Sequence, residues 1–317
     1  MEILLTGATG FVGSYVLEAL LADGHSLCIV KRSFSKTERI GHLLGECKTY
    51  DLDRTAVERI YRENEIGCIV HCATYYGRND KEYAENIESN LLFPLKLLSC
   101  GMEYGARNFV NTDSFFCNQI NNTCLYPGKE LYMGGYTLSK AQFRQWGQMA
   151  AAKDKINFIN MKLEHVYGEK DNGSKFIPYV VEQCRSNVPA LALGKGVQER
   201  DFVHVKDVAD AYRIVINTLC AKPSRGYTEH NVGTGHAWTL REFVEIIHKA
   251  LNSSTHLDWG ARETGKGEIM SSKADNMSLR KLGWKPTVME KAQIEQVFVD
   301  WGGVNNGTCR LPYRKAA

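Results

Sequence analysis

The chain has 317 residues, which is enough for one large α/β core or for two lobes. Its composition, with 44% hydrophobic and 24% charged residues, is typical of globular proteins and excludes the disordered and fibrous classes. Because 39 basic and 36 acidic residues leave a net charge of only +3, the charge balance gives no sign of a surface for nucleic acid or membranes.

The first half of the chain alternates short apolar runs with stretches of helical periodicity. The runs predicted to be buried strands are EILLTG (2–7), SLCIVK (26–31), GCIVHCA (67–73) and RNFVNT (107–112). The stretches with helical spacing are 11–24, 53–64 and 86–105. This alternation predicts an α/β fold, a Rossmann-type doubly wound parallel sheet that forms a cofactor-binding domain over residues 1–160.

The regular alternation loosens in the second half. Turn-rich stretches at 167–176 and 192–200 separate shorter elements there. They predict a smaller C-terminal α/β lobe over residues 161–317, which we expect to bind the substrate. Two segments, RDFVHV (200–205) and YTEHNVGTG (227–235), are candidates to return to the large sheet.

Targeting signals and metal-binding motifs are missing from the sequence. The opening MEILLTGATG lacks the charged leader and cleavage site of a secretion signal, and no apolar stretch is long enough to cross a membrane. The 10 cysteines include no C-x-x-C pair, and the 9 histidines lack ligand spacing. We therefore expect a cytoplasmic protein with reduced thiols and no metal site.

The segment TGATGFVG (6–13) lies directly between the first predicted strand and the first predicted helix, as a dinucleotide-binding loop requires. Gly7 permits a tight turn, Gly10 lets the backbone approach a pyrophosphate, and Gly13 lets the helix pack closely on the sheet. N–H groups at the helix start can then bind the phosphates. The residues expected to contact the cofactor here are Gly7, Thr9, Gly10, Phe11 and Val12.

The end of the second predicted strand indicates which nicotinamide cofactor is bound. An acidic residue there hydrogen-bonds the ribose 2′-hydroxyl of NAD, whereas a basic residue accommodates the 2′-phosphate of NADP. This strand end has no carboxylate and offers Lys31, Arg32 and Ser33, which predicts NADP(H). Asp51 and Leu52, in YDLD (50–53) after a short strand that precedes the helical stretch at 53–64, are expected beside the adenine ring.

In YTLSK (136–140), a tyrosine and a lysine four residues apart lie on one face of a predicted helix. A free tyrosine has a pKa of about 10, and an adjacent ammonium group and a positively charged nicotinamide both lower it. We therefore predict that Tyr136 is the catalytic acid and that Lys140 tunes it while hydrogen-bonding the cofactor ribose. Ser114, in the loop that leaves the preceding strand, is predicted to orient the substrate oxygen.

Together these motifs resemble the extended short-chain dehydrogenase/reductase family from residue 3 to about residue 286. The segments that stand where that family places cofactor and catalytic groups are TGATGFVG, DLD (51–53), HCA (71–73), Asn90, Ser114 and YTLSK. The segments similar to members that act on nucleotide-diphosphate sugars are MKLEHVYG (161–168), KFIP (175–178), GVQERDFVHVKDVADAY (196–212), NVGTG (231–235) and LGWKP (282–286).

The resemblance implies further contacts and an assembly. The additional cofactor residues that it implies are Cys72, Ala73, Thr74 and Asn90. The substrate residues that it implies are Tyr76, Arg78, Ser114, Phe115, Lys175, Phe176, Gln198 and Arg200. It also implies a homodimer formed through the helices at 86–105 and 136–152.

Several stretches narrow the resemblance to reductases of CDP-linked deoxysugars. They are NTDSFF (111–116), FPLKLL (93–98), LEHVYG (163–168), KFIPY (175–179) and GEIM (267–270). The activity implied is NADPH-dependent reduction of the C4 keto group of CDP-4-dehydro-3,6-dideoxy-D-glucose, for bacterial surface polysaccharide (O-antigen). Glu169 departs from the pattern, which commonly has proline after YG, and leaves the sugar and the nucleotide base open.

Other functions stay open. A nucleotide-sugar epimerase or a 4,6-dehydratase would regenerate its cofactor. A dehydratase would carry an acidic pair beside the serine, whereas this chain has Asp113 before Ser114 but Phe115 in place of the second carboxylate. A dTDP-linked 4-ketoreductase would share the chemistry. A redox-sensing regulator would bind NADP(H) without turnover, although such proteins commonly lose the tyrosine or the lysine. Glu164 and His165 could form a second acid–base pair, but their place at a strand end favours a structural role.

Overall fold

A computed structural model shows the fold and describes residues 1–77, 82–120, 133–221, 226–263 and 268–303. The chain forms two compact units. The first consists of Met1–Leu163, Ala209–Val232 and Met277–Trp284. The second consists of Glu164–Val208, Gly233–Asn276 and the described residues from Lys285 onward.

Strands and helices alternate along the chain. The strands are β1 (Glu2–Thr6), β2 (Ser26–Lys31), β3 (Lys48–Asp51), β4 (Cys68–His71), β5 (Asn108–Ser114), β6 (Asn157–Leu163), β7 (His165–Tyr167), β8 (Ala190–Leu193), β9 (Glu199–Arg200), β10 (Phe202–His204), β11 (Tyr227–Val232), β12 (Trp238–Thr239) and β13 (His256–Trp259). The α-helices are α1 (Phe11–Ala22), α2 (Val57–Glu63), α3 (Tyr83–Ile87), α4 (Phe93–Glu103), α5 (Gly134–Ala152), α6 (Phe176–Arg185), α7 (Val205–Ala221), α8 (Leu240–Ala250), α9 (Met277–Lys281) and α10 (Lys291–Gly303). None of the helices in the described ranges combines the length and the apolar character that a membrane span needs.

The first unit is built on a seven-stranded sheet in the order β3-β2-β1-β4-β5-β6-β11. Every neighbouring pair in this sheet is parallel, so the carboxyl ends of the strands meet at one edge. The central strands are buried apolar runs, as in β1, where Ile3, Leu4 and Leu5 are each 0% exposed. The predicted doubly wound parallel α/β sheet is confirmed.

The helical segment predicted at 86–105 is interrupted. A π-helical turn (Glu88–Leu92) separates α3 from α4, and Pro94 follows in the first turn of α4. Because proline has no N–H, Pro94 cannot hydrogen-bond the carbonyl of Asn90 in the usual helical pattern, and the backbone widens before it.

Helix α5 packs closely on the sheet. Gly147 makes this possible, because a Cβ at that position would lie 2.2 Å from a ring carbon of Phe158 in β6. Phe158 stacks on Phe109 of β5 with ring centroids 5.3 Å apart, and Phe143 of α5 packs edge-on against Phe158 at 5.7 Å. These aromatic contacts hold α5 against β5 and β6.

Among the described residues, the second unit contains three two-stranded sheets, β7–β10, β8–β13 and β9–β12. Phe202 stacks on Phe243 in its core, with ring centroids 3.9 Å apart. The prediction that residues 200–205 return to the large sheet is wrong, because β10 pairs with β7 and Phe202 belongs to this core. The segment at 227–235 contributes β11, which is the edge strand beside β6.

Candidate active site

The side chains of Ser114, Tyr136 and Lys140 converge in the first unit. Ser114 ends β5, and its Oγ accepts a hydrogen bond from the backbone N–H of Phe116 at 3.3 Å. Tyr136 and Lys140 lie one turn apart near the start of α5, and both are buried. The Ser114 side chain also hydrogen-bonds the Tyr136 side chain. The structure therefore brings together the three residues predicted to be catalytic.

Tyr136 lies in an enclosed, aromatic environment. Its ring stacks on that of Tyr76, with centroids 5.0 Å apart and planes inclined by 19°. Burial raises the pKa of Tyr136 well above its usual value and Tyr76 adds to this, while the hydrogen bond with Ser114 opposes the shift. In this structure burial outweighs any lowering of the pKa of Tyr136 by the nearby Lys140, and the lowering expected from a positively charged nicotinamide stays a prediction. Tyr136 is protonated at neutral pH and can therefore give a proton.

Lys140 is held from the end of β5. Its side chain is buried, and its Nζ donates a hydrogen bond to the carbonyl of Thr112 at 2.9 Å. Burial lowers the pKa of Lys140, whereas the nearby carboxylate of Asp113 opposes this shift. The position and the charge of the ammonium group thus both depend on β5.

Asp113 is fully engaged in hydrogen bonds. Its Oδ1 accepts from the backbone N–H of Ser114 at 2.8 Å and from Sγ of Cys117 at 3.0 Å. Its Oδ2 accepts from Nδ2 of Asn160 at 2.8 Å and forms an ion pair with Arg144 at 3.2 Å. A carboxylate committed to these four donors is not available to protonate a leaving group.

The glycine loop between β1 and α1 is too tight for side chains. Gly7 has a φ of +72°, and a Cβ there would lie 2.4 Å from the backbone N of Ala73. A Cβ on Gly13 would lie 2.1 Å from the carbonyl oxygen of Gly7. Thr6 Oγ1 accepts a hydrogen bond from the N–H of Ala73 at 3.2 Å, which joins the loop to the segment after β4. Of the other residues predicted here, Thr9 and Gly10 lie in the turn, and Phe11 and Val12 are the first residues of α1.

The start of α1 suits an anion. Within the described part of the chain, no side chain caps this helix and its first turn holds no acidic residue. N–H groups at a helix start have no partner in the helix itself and favour negative charge. The closely packed loop and the uncapped helix therefore fit the pyrophosphate of a dinucleotide cofactor.

The residues predicted to choose the cofactor lie together at the ends of β2 and β3. The carbonyl of Lys31 accepts a hydrogen bond from the N–H of Leu52 at 2.9 Å. Ser33 donates from Oγ to Asp51 at 2.6 Å and from its backbone N–H to Asp53 at 2.8 Å. The hydrogen bond from Ser33 and the charge of Lys31 help to lower the pKa of Asp51.

Two arginines follow the end of β2 in the sequence. The Arg32 guanidinium is placed 4.5 Å above the ring of Phe34. Arg39 donates from Nη1 to the carbonyl of Thr9 in the glycine loop at 3.3 Å. Sequence reasoning missed Arg39, because it lies well beyond the strand end and no local motif marks its approach to the loop.

Asn90 connects the segment after β4 to α5. Its Oδ1 accepts from Oγ1 of Thr74 at 3.1 Å and from the N–H of Tyr75 at 2.8 Å. Its Nδ2 donates to the carbonyl of Tyr75 at 2.8 Å and to Oγ of Ser139 at 3.2 Å. The structure thus gives Asn90 a positioning role beside Thr74. Cys72, in the same segment, accepts a hydrogen bond from Oγ1 of Thr112 at 3.5 Å.

The residues predicted to bind substrate are divided between the units. In the first unit, Tyr76 stacks on Tyr136 and Phe115 is buried against Phe116, with ring centroids 4.2 Å apart. Arg78 lies outside the described residues.

In the second unit, Lys175 precedes α6, whose first residue is Phe176, and Lys175 pairs with Asp171 at 2.9 Å. Gln198 and Arg200 both reach Glu268, at 3.0 Å and 3.2 Å. In the described part of the chain, Oε1 of Gln198 is buried without a hydrogen-bond partner. Sequence reasoning gave Glu268 no role, because its contact with Arg200 crosses a long stretch of sequence.

Glu164 and His165 do not form a catalytic pair. Glu164 accepts a hydrogen bond from Oγ of Ser272 at 2.9 Å. Burial, aided by the charge of Arg200, lowers the pKa of His165 to about 3. His165 is therefore neutral at physiological pH and is a poor proton donor, which agrees with the structural role expected for it.

Comparison with known proteins gives a consistent picture. Residues 3–233 match the model of the NAD dependent epimerase/dehydratase family. CDP-abequose synthase of Salmonella typhimurium is 34% identical over 298 residues, which cover 93% of this chain and 97% of the relative. UDP-glucose 4-epimerase of Haemophilus influenzae is 26% identical, over 96% of this chain and 98% of the relative.

Solved structures share the fold. UDP-glucose-4-epimerase from Stenotrophomonas maltophila, with bound NAD and formylated UDP-arabinopyranose, superimposes with a TM-score of 0.81 at 22% identity, over 95% of this chain and 98% of that one. UDP-glucose 4-epimerase from Bifidobacterium longum, in complex with NAD+ and UDP, has a TM-score of 0.79 at 21% identity, with the same coverage of 95% and 98%.

Proposed function

Since this chain belongs to the NAD dependent epimerase/dehydratase family, we propose that it reduces the C4 keto group of a nucleotide-diphosphate deoxysugar with NADPH. The observation that carries the proposal is the buried Tyr136, which hydrogen-bonds Ser114 and stacks on Tyr76, with the side chain of Lys140 one helical turn away. This arrangement suits the delivery of a proton to an oxygen atom.

Each residue has a defined part in this reduction. When bound, the nicotinamide cofactor supplies the hydride that forms the new C–H bond at C4. The carbonyl electron pair moves onto oxygen, and Tyr136 gives its phenolic proton to that oxygen. Ser114 stabilises the developing negative charge by hydrogen bonding, and the charge of Lys140 favours the phenolate that Tyr136 becomes.

The choice of NADPH is supported by the strand end of β2. Lys31, Arg32 and Ser33 offer two cations and a hydroxyl, and Arg39 adds a third cation beside the glycine loop. Arg and Lys are the side chains that bind a 2′-phosphate. Ser33 would exchange its contact with Asp51 for the phosphate.

The proposed substrate is CDP-4-dehydro-3,6-dideoxy-D-glucose, reduced to CDP-abequose for bacterial surface polysaccharide (O-antigen). The 34% identity to CDP-abequose synthase supports this choice. In the second unit, Arg200 would pair with the diphosphate, aided by Lys175, Phe176 and Gln198. The orphaned Oε1 of Gln198 supports a ligand at this position.

A nucleotide-sugar epimerase is the second candidate, favoured by the 26% identity to UDP-glucose 4-epimerase along nearly the whole chain. A 4,6-dehydratase is disfavoured, because Asp113 is committed to four donors and the next position after Ser114 is Phe115.

The test is NADPH consumption by the purified protein with a panel of CDP-linked and dTDP-linked 4-keto sugars, followed by NMR of the product. Rapid oxidation with the CDP-linked 3,6-dideoxy substrate is expected, and the coupling constants at C4 identify the sugar. A preference for a dTDP-linked substrate would change the nucleotide but keep the chemistry. No oxidation with any keto sugar, together with cofactor retained through purification, would favour the epimerase.

We also propose a homodimer through the helices at 86–105 and 136–152. Exposed apolar side chains on these elements are Ile87 (43%), Leu92 (55%), Trp146 (46%) and Met149 (44%). Exposed apolar side chains on neighbouring elements are typical of an interface. Light scattering should give twice the chain mass for the wild type and one chain mass for Trp146→Glu. Val299→Glu, at an exposed site in the second unit, is the control that should stay dimeric.

A further inference from the structure

Three consecutive residues at the end of β5 connect the proposed catalytic groups. Thr112 accepts the hydrogen bond from Nζ of Lys140 at 2.9 Å, and the backbone N–H of Ser114 donates to Oδ1 of Asp113 at 2.8 Å. Asp113, between them, has a side chain with 0% exposure. Its carboxylate is therefore fixed next to both groups without being open to a substrate.

Other elements hold this carboxylate in place. Arg144, one turn beyond Lys140 on α5, forms the 3.2 Å ion pair with Oδ2 of Asp113, and its side chain is only 10% exposed. Asn160 of β6 donates to the same oxygen at 2.8 Å and also hydrogen-bonds Glu229 of β11 at 3.0 Å. The network thus runs from the proposed active site to the edge of the sheet.

From this geometry we propose that Asp113 is a positioning residue that fixes Ser114 and keeps Lys140 cationic. The inference rests on the proposed function, in which the charge of Lys140 supports proton transfer from Tyr136. No such role follows from the sequence, where the place of Asp113 beside Ser114 would instead suggest a catalytic acid.

The charges around Lys140 determine the direction of the expected effects. The titratable groups that face it are Asp113 of β5, Cys117 of the short helix Phe115–Gln119, His71 at the end of β4 and Cys72 directly after it. Burial favours the neutral amine, whereas Asp113 favours the ammonium. Loss of Asp113 should therefore lower the pH at which Lys140 loses its proton. Loss of Arg144 leaves the negative charge of Asp113 uncompensated and should have the opposite effect.

The experiment compares Asp113→Asn with Arg144→Gln in the full-length protein, each of which removes one charge of the pair and keeps a hydrogen-bonding side chain. The pH profile of kcat is measured, together with the pH dependence of NADPH binding by fluorescence. For Asp113→Asn, the pH at which kcat falls at the alkaline end should decrease by roughly one pH unit or more. For Arg144→Gln, it should stay in place or move up.

A purely structural role would give a different result. Both variants would then have a lower kcat at every pH and the same high-pH limb as the wild type, which would overturn the proposal. If Asp113→Asn does not fold because Arg144 is left buried without a counter-ion, the double variant Asp113→Asn/Arg144→Met takes its place. The pH at which its kcat falls at the alkaline end should still be lower than that of Arg144→Gln.

The two readouts also separate this proposal from the proposed function. If no keto sugar is reduced by the wild type, the proposed function fails, but the pH dependence of NADPH binding still reports the charge of Lys140. As the pH is raised, NADPH binding should then weaken at a lower pH in Asp113→Asn than in the wild type, and this result would support the positioning role. Identical binding profiles would refute it.

Discussion

Replacing Tyr136 with phenylalanine tests the proposed proton donor directly. The change removes one hydroxyl group and keeps a buried ring, so the stack with Tyr76 at 5.0 Å can persist. The lost hydrogen bond with Ser114 costs about 1 kcal/mol of stability. Loss of the proton donor should reduce kcat by a factor of roughly 10² to 10⁴, which is about 3 to 5 kcal/mol in the activation free energy. The predicted kinetic effect therefore exceeds the predicted loss of stability.

The assay is NADPH oxidation with the preferred keto sugar, together with NADPH binding by fluorescence, which should be unchanged. Tyr61→Phe is the matched control: Tyr61 is also buried, and its hydroxyl donates to the carbonyl of Leu97 at 3.0 Å. It should lose a similar stability, about 1 kcal/mol, with kcat within a factor of about two. A kcat for Tyr136→Phe within a few-fold of the wild type would refute the assignment of Tyr136.

Three further predictions concern the cofactor loop, the cofactor choice and acid stability. Gly13→Ala should weaken NADPH binding at least ten-fold and cost about 1 to 3 kcal/mol of stability, because its Cβ would lie 2.1 Å from a backbone oxygen. Gly41 has open space around it, so Gly41→Ala should change neither NADPH binding nor stability. Arg32→Ala should raise KM for NADPH about ten-fold with little effect on NADH, and equal effects on both cofactors would contradict a 2′-phosphate contact. Burial opposes the ionisation of Glu169, but its contact with His204 at 3.6 Å helps to lower the pKa of Glu169 to about 2. The contribution of Glu169 to stability should therefore be present above about pH 4.5 and be lost as the pH falls toward 2. Between pH 5 and pH 3, the melting temperature of Glu169→Gln should then decrease less than that of the wild type.

Local sequence signals predicted much of the first unit. The glycine loop and the Tyr136–Lys140 spacing depend only on nearby residues, and both lie where the pattern placed them, between β1 and α1 and near the start of α5. Apolar runs likewise predicted β1, β2, β4 and β5, because a strand buried on both faces is apolar along its whole length.

Strand β6 was not predicted as part of the sheet, because its sequence contains buried polar residues whose partners lie on other strands. Asn157 donates to Asn108 at 3.0 Å, and Lys162 pairs with Glu229 across to β11. A buried polar side chain is stable only when such a partner is present, and the sequence does not show which partner will be adjacent. The same reason explains why the role that we propose for Asp113 was not predicted from the sequence.

The state of Tyr136 also bears on the choice between a reductase and an epimerase. A net reduction needs a phenol that is protonated when the substrate arrives, and burial favours the neutral phenol here. An epimerase that oxidises and then reduces C4 needs the same residue first to accept a proton and then to return it, and this task favours a pKa near the working pH. The burial of Tyr136 agrees with proton delivery in the proposed reduction, after which the charge of Lys140 would favour the phenolate. The paired state of Asp113 agrees with this, because a carboxylate held by four donors does not compete with Tyr136 for the role of proton donor in the proposed reduction.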